Sequence, residues 1–282
     1  MKTLVRVIVA AVAAVSGAVA GASADTPSEA AALESAQRLF YSGEYEEAAA
    51  LAFAVREADR GNLAASEIRT SALHFAIKRA LGSLDVARDK PGDSRERAWK
   101  ACTGCQQLLT EFLTELHLGR AEARARLSRT PDDAEALFFL GKLDLNYVWL
   151  QLGTLGRRTG WGEYWEARRS LDAVLALDPE HVRARVARAF MDYIVGTKVP
   201  RGVRWILGGG SRTRGLEGVR DATLADAPPL VQAEAMFALW DLQVRERYLP
   251  DAIVTARALA RDFPANRELA KFLSTHDLQT SR

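Results

Sequence analysis

The chain is 282 residues long, with 38 Lys and Arg against 36 Asp and Glu, 48% hydrophobic residues, 26% charged residues and two cysteines. That composition excludes a collagen, a disordered polymer and a disulfide-stapled mini-protein, because apolar residues suffice for a core and cysteines are too few for a staple framework. The net charge of +2 invites a nucleic-acid or lipid reading only until it is divided by region, because residues 1–24 carry Lys2 and Arg6 and no acid, which leaves the remainder neutral.

Residues 1–24 have a basic start, an apolar run over 7–15 and the small-residue ending Ala22-Ser23-Ala24. A charged segment, an apolar segment and an A-x-A site are what a secretory signal peptide needs, so cleavage is expected near Ala24, and the protein is expected to be exported, in the periplasm. No later run reaches the roughly 18 apolar residues of a membrane span, so no stable membrane insertion is expected after cleavage.

From residue 28 onward the apolar positions recur at three and four, Ala and Leu abound, and no alternating β-branched run occurs, which predicts an all-α fold. Gly43-Glu44-Tyr45-Glu46-Glu47-Ala48 returns as Gly162-Glu163-Tyr164-Trp165-Glu166-Ala167, each copy at a predicted helix start. Counting from Ala167 gives Leu171 four later, Val174 seven later and Pro179 twelve later; from Ala252 the same offsets give Ala256, Leu259 and Pro264. Small residues at such spacing let two antiparallel helices approach, a bulkier one fills the gap, and Pro ends the helix. Asp133 before Ala134, with Leu140-Gly141 seven and eight positions in, reads as a first helix of the same kind of unit.

This spacing resembles the tetratricopeptide repeat (TPR), a 34-residue helix-turn-helix unit, and the resemblance implies a TPR-like solenoid, a right-handed superhelix of stacked antiparallel helix pairs. Residues 25–130 then form an N-terminal helical region, with one unit over 29–62 (Ala48, Ala52 and Val55 at the small-large-small positions, Arg60 in place of Pro) and degenerate helices over 63–129, broken at Lys90-Pro91-Gly92-Asp93. Residues 131–282 carry further units, a Gly-rich insertion at 196–210 and a capping helix from about Glu268. Between Gly141 and Gly162 the chain has 14 residues more than the repeat needs, which means either a first helix extended to about Leu152 or a long loop.

The stretch 178–272 also resembles a group of exported bacterial repeat proteins of uncertain function. The residues that carry this are Asp178-Pro179, Asp192-Tyr193-Ile194-Val195-Gly196, Pro200, Gly208-Gly209-Gly210, Arg214-Gly215-Leu216, Arg245-Glu246-Arg247 and Phe263-Pro264-Ala265-Asn266. Residues 182–227, with a Gly-rich break before a Gly-Leu helix, are similar to the T component of TRAP-type transporters, a periplasmic repeat protein that partners a solute-binding subunit. Neither resemblance carries a catalytic residue.

Cys102-Thr103-Gly104-Cys105 is a candidate disulfide or thiol pair in an oxidising compartment. A redox role through thiol-disulfide exchange stays open, although no strand precedes the motif as in thioredoxin-type sites. Haem attachment would need His where Gln106 stands, and His74 and His117 lack metal spacing, so neither metal nor cofactor is expected. The segment from Gly208 to Gly215 lacks a Walker ending and reads as a turn into a helix. Its other reading is an anion site made by the helix start with Arg201, Arg204, Arg212 and Arg214, inside a region (156–220) holding 13 bases and seven acids. Trp161, Tyr164, Trp165, Phe190, Tyr193 and Trp205 read as interhelix filler, with a ligand cavity as the alternative. The four histidines have no paired arrangement.

A non-enzymatic, exported TPR scaffold for protein–protein binding is the expectation, taking an extended peptide or a partner's helix on a concave face. The inward positions are Gln37, Tyr41, Lys142, Asn146, Arg183, Phe190 and Tyr193. The alternatives are an accessory component of periplasmic solute uptake and thiol exchange through Cys102 and Cys105. Nucleic acid is not expected as a partner, because the chain beyond the leader is neutral.

Overall fold

The computed structural model describes residues 28–83, 91–157 and 159–280, so the leader lies outside the described residues. Every regular element among the described residues is helical. In chain order they are α1 (Glu29–Tyr41), α2 (Tyr45–Ala58), α3 (Leu63–Ser83), α4 (Pro91–Ala101), α5 (Cys105–Arg129) and α6 (Ala134–Val148). A π-helical segment (Trp149–Thr154) continues α6, and α7 (Trp161–Leu177) and α8 (Val182–Lys198) follow. A 3-10 segment (Arg201–Leu207) then leads to α9 (Arg212–Ala222), α10 (Pro229–Glu246), α11 (Leu249–Asp262) and α12 (Arg267–Thr280).

Helix starts are written in the sequence as side-chain caps. Ser28, Asp133 and Ser211 accept from backbone amides of Ala31, Ala136 and Arg214, and the His181 ring nitrogen accepts from Ala184. Each cap satisfies a donor that the first turn would leave unpaired. Short turns make neighbours in sequence neighbours in space: α1 packs on α2, α2 on α3, α6 on α7, α8 on α9, and α10 on α11.

The small-residue positions are where the helices meet. Ala48, Ala52, Ala167, Leu171, Val174, Ala252 and Ala256 are completely buried. A Cβ on Gly141 would lie 3.0 Å from Leu171 and 3.4 Å from the Ala167 carbonyl, so glycine lets α6 approach α7 closely. The two Gly-Glu-Tyr copies differ in detail. Gly43 takes the left-handed conformation (φ 82°) before α2, whereas Gly162 lies inside the first turn of α7 and Gly160 (φ 96°) makes the turn. A second left-handed glycine two residues earlier relieves Gly162 of that duty.

Other expectations are adjusted. The extra residues after Gly141 extend the first helix through the π-helical segment rather than form a long loop over that stretch. The Gly-rich insertion is shorter than 196–210, since Gly196 belongs to α8 and residues 201–207 are a 3-10 helix. Pro91 opens α4, where its missing N–H costs nothing, and a second break at Cys102-Thr103-Gly104 separates α4 from α5. Across that break Cys102 and Cys105 are joined as a disulfide, with Cys105 fully buried among Leu109, Phe112 and Ile77.

The chain also closes on itself. α1 touches α10, the Tyr41 ring stacks on Phe237 with centroids 5.2 Å apart, and Asn266 joins the ends directly. Its side-chain oxygen accepts from the Glu268 and Leu269 amides, capping α12, while its nitrogen donates to the Tyr41 carbonyl at 2.7 Å. A turn residue that caps the last helix therefore also holds the first.

Candidate functional site

Closure makes an interior. The helices α3, α6, α8 and α10, together with the end of α1, face one another across it, and they meet twice along their length.

Each of α3, α6, α8 and α10 contributes one charged side chain to an ion-pair cluster, the plug. Lys142 on α6 donates to Glu234 on α10 at 2.6 Å and lies 3.6 Å from Glu67 on α3. Arg183 on α8 bonds Glu67 at 3.0 Å and Glu234 at 2.5 Å, and stacks over Phe138 at 4.8 Å. Two cations thus bridge two carboxylates that α3 and α10 bring in from opposite sides. Burial by itself would raise the Glu234 carboxyl, but Arg183 and Lys142 hold it down at about 2. Against the same burial, Glu234 and Glu67 raise Lys142 and Arg183 above their ordinary values. Beside the plug, Asn146 donates to Thr70 at 3.0 Å and Ser71 at 2.9 Å.

The C-terminal halves of the same helices, with parts of α4 and α7, line a partly open cavity of about 1600 Å³, well above the ~300–1,000 Å³ usual for a small-molecule pocket. Its wall is aromatic, with Phe40, Tyr41, Trp149, Phe190, Phe237 and Trp240. The π-helical segment supplies Trp149, Leu152, Gly153 and Thr154 to it; such insertions widen a helix and occur often at functional sites. The Trp240 indole N–H is buried in this wall with no acceptor among the described residues.

His74 and Thr154, 80 residues apart in sequence, come together in the same wall at 2.9 Å. Burial, with a further contribution from Lys78, lowers His74 to about 3. An imidazole so hard to protonate is a poor proton acceptor at neutral pH, and the pair serves to tie α3 to the π-helical segment. Because the folded value lies below the unfolded one, the stability that neutral His74 contributes is fully present above about 6.5 and is lost as pH falls toward 3. Unfolding free energy should drop by about 2 kcal/mol between pH 7 and 5 from this group. Urea titrations at the two pH values should show that drop shrinking in His74→Gln, and an unchanged drop would remove His74 as its source. His181, also lowered by burial, accounts for part of any acid sensitivity that remains.

A second concavity, about 830 Å³, lies at the C-terminal ends of α8 and α10. It is lined by Lys198, Arg201, Arg204, Arg212, Arg245 and Arg247, with Glu246 as its acid. Glu246 accepts from the Tyr193 hydroxyl at 2.6 Å and pairs with Arg212, while Arg245 pairs with Asp241 at 2.6 Å. Lys198 and Arg245 line both concavities, so the basic one (the mouth) adjoins the aromatic one.

Set against the sequence reading, the inward positions divide into two kinds. Tyr41, Asn146 and Phe190 line the cavity, and Tyr193 lines its basic mouth. Lys142 and Arg183 are taken up in the plug, and Gln37 is half-buried on α1 outside the lining. Of the four arginines named for an anion site, Arg201, Arg204 and Arg212 converge and Arg214 lies outside the pocket. Lys198, Arg245 and Arg247 join them, a contribution that a reading confined to the Gly-rich segment misses although Arg245-Glu246-Arg247 stands out in the sequence. Among the aromatics named above, Trp161 and Tyr164 also line the cavity, Trp165 packs against the core, and Trp205 is 76% exposed on the 3-10 segment. No group of His, Cys, Asp and Glu among the described residues is arranged to hold a metal ion, and no helix among them is long and apolar enough to cross a membrane. No protein-family model matches the chain, and no curated protein is significantly similar to it.

Proposed function

We propose that the protein is an exported, non-catalytic binding protein built from TPR-type helix pairs, whose binding site is the interior cavity. The observation that carries this reading is the aromatic cavity between the helices, with a basic concavity beside it that shares Lys198 and Arg245. A cavity of this kind binds by burying apolar ligand surface, at roughly 25 cal/mol per Å² removed from water.

Of the two binding readings opened by the sequence, a role as an accessory of solute uptake is favoured over capture of an extended peptide. Peptide capture needs free polar side chains along the concave face, and Lys142, Asn146 and Arg183 already spend theirs on neighbouring helices. A concave space walled by aromatic rings instead suits a small apolar molecule passed to or from a partner. Closure through Tyr41, Phe237 and Asn266 further narrows the way in for a chain.

The test is to plug the cavity. Gly153 lines it, and a Cβ there would meet nothing within 4 Å, so Gly153→Phe directs a ring into the space without a backbone clash. The neutral dye N-phenyl-1-naphthylamine should bind the wild-type protein with enhanced fluorescence. Gly153→Phe should bind it at least about tenfold more weakly, the equivalent of about 1.4 kcal/mol, at an unchanged melting temperature. Equal binding by the two proteins would place the dye elsewhere and end this reading.

A further inference from the structure

We infer that the ligand is a single-chain anionic amphiphile, with its alkyl chain in the aromatic cavity and its carboxylate or phosphate head in the basic mouth. This inference rests on the cavity reading above and adds the chemistry of the ligand.

Its grounds are the adjacency and the opposite character of the two concavities. On α8, Phe190 and Ile194 face the cavity, Tyr193 and Thr197 face the mouth, and Lys198 serves both. On α10 and just past its end, Trp240 and Asp241 belong to the cavity, Glu246 and Arg247 to the mouth, and Arg245 to both. A molecule spanning the boundary therefore meets aromatic rings on one side and cations on the other within two turns of each helix.

The mouth holds six basic side chains. Two of them, Arg212 and Arg245, are neutralised by Glu246 and Asp241. Arg204 donates to the Val199 carbonyl, which fixes its guanidinium and leaves its charge uncompensated. Arg201 and Arg247 make no ion pair among the described residues and are exposed, as Lys198 is. Four cations without a carboxylate partner repel one another and are stabilised by an anion placed between them. Guanidinium groups match carboxylate and phosphate oxygens with paired N–H donors. The amides opening α9 behind Ser211 add a positive helix end to the same rim.

A neutral apolar ligand would make no use of this rim, and a free inorganic anion would make no use of the cavity. An amphiphile uses both. Charge complementarity thus selects the occupant.

The experiment is competition for the fluorescent fatty acid cis-parinaric acid bound to the purified protein. Hexadecanoate is expected to displace it at least tenfold more effectively than hexadecanol, and millimolar acetate or inorganic phosphate is expected not to displace it. Within the saturated carboxylates from ten to fourteen carbons, affinity should rise about fourfold for each added methylene. Hexadecyl phosphate against hexadecanoate tells which head the mouth prefers, and preference for either over the alcohol supports the inference.

Arg201→Gln with Arg247→Gln should weaken hexadecanoate at least tenfold and leave hexadecanol unchanged. Should that double variant fold poorly, raising NaCl from 50 to 500 mM with the wild-type protein gives the same information, because screening weakens only the charged ligand. Hexadecanol and hexadecanoate binding equally, with neither sensitive to salt, would overturn the amphiphile while leaving the cavity reading intact. Failure of every alkyl ligand and of the neutral dye together would end both. Displacement by phosphate or acetate alone would reduce the mouth to a simple anion site and overturn the inference.

Discussion

Glu234→Gln should lower the unfolding free energy by about 3 kcal/mol, because it removes one of two carboxylates that hold two largely buried cations. For a chain of this size that corresponds to a fall of about 10 °C in melting temperature. The loss comes less from the ion pair itself than from what remains. Lys142 and Arg183 would share Glu67 alone, and one largely buried positive charge would stay without compensation. Adding Lys142→Met should therefore recover at least half of the loss, since it removes the surplus cation and keeps an apolar stem. Differential scanning calorimetry of the single and double variants decides the matter; a loss under about 1 kcal/mol in the single variant would mean that water or rearrangement compensates the cations. In the wild-type protein Glu234 sits at about 2, below its unfolded value. Its contribution is thus complete above about pH 4.5 and erodes only as pH falls toward 2.

The second large effect is expected at Gly215, where helix propensity and packing predict opposite signs. Gly215 lies within α9, so Gly215→Ala would stabilise an isolated helix by roughly 1 kcal/mol. In the folded chain the new Cβ would stand 2.5 Å from the Tyr193 amide nitrogen and 2.6 Å from the Ala189 carbonyl oxygen. Both are backbone atoms of α8, so no rotamer change relieves the overlap, and the two helices must separate. Overpacking of this kind costs about 1–3 kcal/mol, and a net loss of about 2 kcal/mol is expected by chemical denaturation. Since Ser211 and Arg212 open α9 at the rim of the mouth, the variant should also bind hexadecanoate more weakly. A variant as stable as wild type would show that α8 and α9 have room to spare.

Much of the secondary structure is legible in the sequence because it rests on near neighbours. Ala167, Leu171 and Val174 announce a buried stripe by their spacing and are completely buried; Asp133 stands at a predicted helix start and caps it, whereas α9 begins at Arg212, earlier than the turn over Gly208–Gly215 suggests. Cys102 and Cys105, three positions apart, are joined. The π-helical segment is less legible, since the sequence shows only that the repeat is too long after Gly141, and geometry decides how the surplus is absorbed.

The site is legible in part. Tyr41, Asn146, Phe190 and Tyr193 follow from the inward positions of first helices, and Arg201, Arg204 and Arg212 from the local surplus of positive charge. Phe237, Trp240 and Arg245 do not, because they enter only when α10 is brought round to α1. Lys142 and Arg183 read as free polar residues on a concave face; Glu67 lies 116 residues from Arg183, and nothing local marks the pair.

The sequence by itself determines, through periodicity, caps and small-residue stripes, that the described chain is helical and that sequential helices pack. Only the tertiary structure decides that the first and last parts meet, that four charges from α3, α6, α8 and α10 come together, and that an aromatic cavity lies beside a basic concavity. The physical reason is one of range. A helix and its next neighbour are specified by residues a few positions apart, whereas closure depends on small rotations between successive helices that accumulate along the whole stack. Tyr41, Phe237 and Asn266 record its outcome.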